Sequence, residues 1–275
     1  VRLALVALCG CNSVLGVHST EKRDAAMPYY DAPFDAPFAC PPLGTAPRFT
    51  NVLRQAVFQD CTDYTTSAAA GLAVASCSNA ISAGPIDMPL TVIVPLSTSV
   101  QYYRPRLSPE GDAILMFVYD TTSGQHFEEF REVGGTWTLT EILPFAVAGD
   151  IISAPTRSPN RHVLVVGTDA SLHEMADQGG NVWTETAVHP NSELGVGNLG
   201  PPYLSTDGLR LMMGAVPQGG TMLLAMYTDR DALDQPFRPA VPLVGVPGAL
   251  DGFMTEDCSR IYMSGLESIF YVQQM

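Results

Sequence analysis

The chain has 275 residues, of which 46% are hydrophobic and 15% charged, with 24 Gly and 22 Pro. This excludes wholesale disorder, which needs low hydrophobicity and high charge, and suits many short strands joined by turns. A net charge of −14, with Lys22 the single lysine, argues against nucleic acid as a partner, because such a surface repels phosphate backbones.

At the start of the chain, Arg2 precedes an apolar run over residues 3–8 and then Cys9-Gly10-Cys11. The run is too short to span a bilayer, which takes about 20 apolar residues. Residues 1–10 read as the end of a secretory signal peptide. Leu8-Cys9-Gly10-Cys11 resembles the bacterial lipoprotein box, which implies lipidation at Cys11 and an envelope address, outer membrane or periplasmic face. A cleaved signal and a free secreted protein is the alternative. Residues 11–47 then read as a disordered, Pro-rich tether: Asp31-Ala32-Pro33-Phe34 is repeated at once as Asp35-Ala36-Pro37-Phe38, and Pro41-Pro42 follows. Such sequence is extended rather than packed.

Residues 48–275 carry an internal repeat. Four segments align on a hydroxyl residue, Ser108, Ser158, Ser205 and Thr255, spaced 50, 47 and 50 residues apart. A weaker copy starts at Tyr64. Each copy reads as strand, tight turn, strand, with Ser-Pro-x-Gly or Ser-Thr-Asp-Gly supplying the turn. Third strands are expected over 126–133, 171–177, 223–229 and 268–272, and fourth strands opened by Trp137, Trp183 and Phe237. Four antiparallel strands per 40–50 residues is the pattern of a propeller blade. The residues Leu107-Ser-Pro-Glu-Gly-Asp and Leu204-Ser-Thr-Asp-Gly-Leu-Arg-Leu resemble the TolB-type, WD-like repeat. The expected fold is all-β: a five-bladed β-propeller of residues 48–275, closed by residues 48–58 acting as the outer strand of the last blade.

With Cys9 removed and Cys11 lipidated, Cys40, Cys61, Cys77 and Cys258 remain, and four cysteines allow three pairings. In the closure scheme Cys61 and Cys77 share one face of the ring while Cys40 and Cys258 share the other. Cys61–Cys77 and Cys40–Cys258 are therefore the expected disulfides in an oxidising compartment.

Catalytic motifs are scarce. His173-Glu174-Met175-Ala176-Asp177 starts like a zinc-protease helix but lacks the second His and falls in an expected strand. The Gly-x-Gly-x-x-Gly form at 195–200 precedes a strand, not a helix, so a dinucleotide site is not expected. Arg106 and Arg157 flank Ser-Pro turns and read as surface or turn contacts. Acids precede or open the innermost strands: Asp60, Asp63, Asp150, Glu193 and Asp251, grouped by strand count at the channel mouth. They are the candidate ligand-binding set, and the same residue types are common in turns. No catalytic residue, metal ligand or cofactor is assigned. The expected function is a membrane-tethered, non-catalytic, monomeric propeller scaffold that binds an envelope protein or carbohydrate. The alternative is a glycan-acting hydrolase using channel-mouth acids.

Overall fold

The computed structural model describes residues 39–50, 53–59, 61–78, 80–95, 99–143, 162–167, 171–178, 182–247, 252–264 and 268–275. Strand β1 (Arg54–Gln59) comes first in the chain but belongs to the last sheet. The first sheet is β2 (Cys61–Ser67), β3 (Leu72–Cys77), β4 (Ala80–Pro85) and β5 (Thr91–Val94). The second is β6 (Val100–Leu107), β7 (Ala113–Asp120), β8 (Gly124–Val133) and β9 (Thr136–Leu143). The third has three described strands, β10 (His162–Gly167), β11 (Ser171–Asp177) and β12 (Trp183–Pro190). The fourth is β13 (Val196–Leu204), β14 (Arg210–Pro217), β15 (Leu224–Asp229) and β16 (Val241–Pro242). The last runs β1, β19 (Ser268–Gln273), β18 (Arg260–Ser264), β17 (Gly252–Met254). Every pairing within the sheets is antiparallel, and no helix occurs among the described residues. The architecture is an all-β propeller.

Burial follows position in the sheet. β7 (AILMFVYD) is buried at its first six residues and β14 (RLMMGAVP) at five in a row, because neighbouring sheets cover both faces of a second strand. Outer strands β9 and β12 are largely exposed. Trp137 and Trp183 pack from those outer strands against apolar clusters, as the repeat led one to expect. Phe237 does not open a fourth strand. It is buried in the loop before β16, which is two residues long, since Pro236, Pro239 and Pro242 remove the donors that a longer ladder needs.

The repeated hydroxyls pin the turns between first and second strands. Ser108 Oγ accepts from the backbone N–H of Asp112 and Ala113, both at 3.1 Å. Ser205 Oγ accepts from Arg210 N at 2.9 Å, and Thr255 Oγ1 from Arg260 N at 3.0 Å. The fourth turn residue is left-handed each time: Gly111 (φ 77°), Gly208 (φ 73°) and Cys258 (φ 58°). Ser158 lies outside the described residues.

The two ends of the folded body meet. β1 pairs antiparallel with β19, Arg54 opposite Tyr271 and Gln55 opposite Phe270. Upstream, Phe49 bridges Gln274 and Arg48 bridges Val244 in parallel. The sequence places residues up to 47 in the tether, but the folded body begins earlier. Pro47 and Phe49 are buried, Gly44 N donates to Asp229 Oδ2 at 2.6 Å, and Cys40 is bonded to Cys258. Short apolar residues among the prolines, such as Ala46, pack on the core and make this docking possible.

Candidate functional site

Three innermost strands carry a β-bulge. In β2, Thr62 faces Ser76 and Thr65 faces Val74, so Asp63 and Tyr64 together oppose one residue. In β6 the shift lies between Tyr103 and Arg106, and in β13 between Leu199 and Pro202. A bulge re-aims the side chains around it. Asp63 (φ 54°) and Arg104 (φ 52°) adopt left-handed backbone, which is uncommon for residues other than glycine. Asp63 is held there by its N–H, which donates to Ser264 Oγ of β18 at 2.9 Å.

Asp63, Tyr64, Arg106, Phe253, Tyr262 and Ser264 line a cleft between the first, second and last sheets, with a volume of about 10 Å³, space for roughly one water. Arg106 is only 5% exposed, with Nη1 donating to Pro105 O at 3.3 Å, and its charge acts on Tyr203 of the fourth sheet. The sequence reading of Arg106 as a surface or turn contact is corrected on its exposure: the side chain is buried and lines the cleft. The bulge turns it inward, where it occupies the axial region.

The tyrosines of this region stay neutral. Burial pushes the Tyr64, Tyr203 and Tyr262 hydroxyls far up. Tyr203 donates to Glu256 Oε1 at 2.7 Å, and Asp87 N donates to Tyr64 Oη at 3.3 Å. Arg260 joins the first and last sheets, donating through Nη1 to Asp87 Oδ2 at 2.8 Å and lying over the Tyr271 ring at 4.8 Å. These groups hold sheets together as hydrogen-bonding and stacking partners.

A second buried polar group links the third and fourth sheets. Arg230, 1% exposed, grips Glu174 with two hydrogen bonds, Nη1 to Oε1 at 2.7 Å and Nη2 to Oε2 at 3.1 Å. His189 Nε2 lies 2.7 Å from the same Oε1, and the guanidinium stacks on Phe237 at 4.4 Å. Glu174 belongs to the stretch that resembles the start of a zinc helix. It sits on β11 as an inter-sheet clamp, while His173 Nδ1 contacts Glu185 Oε2 at 2.7 Å on the strand surface.

Of the acids expected at the channel mouth, Asp63 lines the cleft and Glu193 is exposed in the turn before β13, its N–H donating to Pro190 O at 2.9 Å. Asp60, Asp150 and Asp251 lie outside the described residues, as does Cys11. Among the described residues, no three His, Cys, Asp or Glu side chains converge as a metal-binding group. Both disulfides are present: Cys61–Cys77 joins register partners of β2 and β3, and Cys40–Cys258 ties the N-terminal segment to the turn before β18. Sequence spacing gave no hint of the axial Arg106 or the Glu174–Arg230 clamp.

No protein-family model matches the chain, and no curated protein does. Solved structures do. TolB from Acinetobacter baumannii superposes with a TM-score of 0.51 at 10% identity, over 79% of this chain and 55% of that one. The chain shares the TolB propeller fold. It spans about half the length of that protein. A protein of unknown function from Bacteroides caccae gives 0.49 at 11% identity, covering 74% of this chain and 69% of that one. A gluconolactonase from Xanthomonas campestris gives 0.48 at 11% identity, covering 84% and 95%. Among the described residues no helix is long and apolar enough to cross a membrane.

Proposed function

We propose that this chain is a non-catalytic binding propeller of the bacterial envelope, lipid-anchored at Cys11, which presents its loops to a protein or carbohydrate. In this reading the ring has five blades. The observation that carries the reading is the axial cleft. Its described lining offers one carboxylate, Asp63, together with Arg106, around a volume of about 10 Å³. Glycoside hydrolysis calls for two carboxyl groups about 5–10 Å apart around a sugar. A pair of disulfides fits an oxidising compartment, and a rigid scaffold with many loops suits partner binding.

The test is capture from solubilised envelope material by the immobilised chain, read by mass spectrometry. One partner recovered reproducibly, and lost on substitution of exposed turn residues such as Glu193→Lys, is the expected result. Turnover of a glycan or lactone panel that disappears in Asp63→Asn would overturn the reading. Cys11→Ala is expected to move the protein from the membrane to the soluble fraction.

A further inference from the structure

Residues 39–50 form a strap along the fourth and last sheets, and its two halves are held by different means. The downstream half is laddered, with Pro47 and Phe49 buried. Phe49 N donates to Val244 O at 2.9 Å, Thr50 N to Gln273 O at 2.8 Å, and Met275 N to Arg48 O at 3.0 Å. The upstream half, 39–46, is exposed or half-buried throughout. Its polar anchors to the body are Gly44 N donating to Asp229 Oδ2 at 2.6 Å and Arg210 Nη2 donating to Pro41 O at 3.0 Å. Its covalent anchor is Cys40–Cys258, which closes a sequence separation of 218.

We propose that Cys40–Cys258 is a redox-operated latch on the upstream half of this strap. Cys40 is half-buried, whereas Cys258 is fully buried, so an external thiolate reaches the Cys40 sulfur first. Attack by one thiolate of a dithiol forms a mixed disulfide at Cys40 and expels Cys258 as a thiolate, which takes up a proton. The second thiol of the reductant then displaces Cys40. Two electrons and two protons pass to the protein, leaving thiols at 40 and 258 and a disulfide in the reductant. Two hydrogen bonds and the partial apolar packing of Cys40 and Ala46 do not then offset the backbone entropy of ordering residues 39–46, about 1–2 kcal/mol for each residue. The segment lifts off and uncovers Asp229 and Arg210, while Phe49, Thr50 and β1 keep the ring closed. Cleaving Cys61–Cys77 has no such consequence, since β2 and β3 are already paired along their length. The latch does not depend on what the chain binds or on the lipid anchor.

Amide hydrogen exchange on the full chain tests this, with the protein oxidised, treated with dithiothreitol, or carrying Cys40→Ser, which leaves Cys61–Cys77 intact. Protection of the Gly44 amide is expected to fall about tenfold or more on reduction and equally in the variant, with Phe49, Thr50 and β17–β19 unchanged. Unchanged protection at Gly44 in both conditions would overturn the latch. So would loss of protection at Phe49, Thr50 and β17–β19 together with Gly44, because the bond would then be a staple of the whole closure.

Discussion

Glu174 sits in the middle of β11 with its carboxylate buried, bonded to Arg230 and beside His189. Burial pushes its carboxyl up, but the hydrogen bonds from His189 and Arg230 and their charges outweigh that and hold it below the ordinary value of 4.5. A depressed carboxyl contributes stability that is complete above the unfolded value and is lost as pH falls through the folded one. The chain is therefore expected to lose stability on acidification below about 4.5, and Glu174→Gln should flatten that part of the profile. At neutral pH the same variant leaves Arg230 buried without its counter-charge, at a cost of about 3–5 kcal/mol by urea denaturation. Gly245 makes a different demand. Its φ is +84° and an added Cβ would lie 1.8 Å from the Phe49 carbonyl oxygen, a backbone atom. Gly245→Ala is expected to cost more than the roughly 1–3 kcal/mol of a strained backbone position, and to raise exchange at the Phe49 amide, which bonds the neighbouring Val244.

At the scale of the element, the hydroxyl-anchored turn is the unit that the sequence announces and the structure repeats. Ser205 is buried and accepts Arg210 N, so Ser205→Ala removes that acceptor and is expected to destabilise by about 1–2 kcal/mol. An unchanged urea midpoint would mean that the turn is held by its backbone bonds alone, Ser205 N to Arg210 O and Gly208 N to Ser205 O. The same turn explains where reading from sequence works. Ser108, Ser205 and Thr255 mark real strand pairs because a short-range pattern of hydroxyl and Gly dictates a local geometry. The reading fails where partners come from another sheet. Arg106 lies two residues from Ser108 and reads as part of the turn, yet the β6 bulge sends it to the axis. Phe237 has the expected residue type but lands among prolines, beneath Arg230. Cys258 is legible as a disulfide partner, while its left-handed backbone, in the place of Gly111 and Gly208, is not, because the residue type there is not glycine.

At the scale of the whole molecule, closure joins parts of the chain that are far apart in sequence, and repeats alone do not say how tightly the ends meet. The cysteine count made the joining legible, since one disulfide fits within the first sheet and the other spans nearly the whole folded body, with a sequence separation of 218. The docking of 39–47 was hidden by proline content, because composition reports stiffness rather than contact. Closure matters because β19 pairs with β1 on one side and β18 on the other. A chain starting at Cys61 loses β1, and the freed edge of β19 presents unpaired N–H and C=O groups, a template for another chain. Its net charge remains strongly negative at neutral pH and opposes association there, but falls toward zero near the sequence pI of about 4.5. The truncated chain is therefore expected to form oligomers that grow as pH is lowered from 7 toward 5, by size-exclusion chromatography with light scattering. The full chain under the same conditions should stay monomeric. A truncated chain that remains a folded monomer across that range would mean that β1 is dispensable and that the β17–β19 sheet protects its own edge.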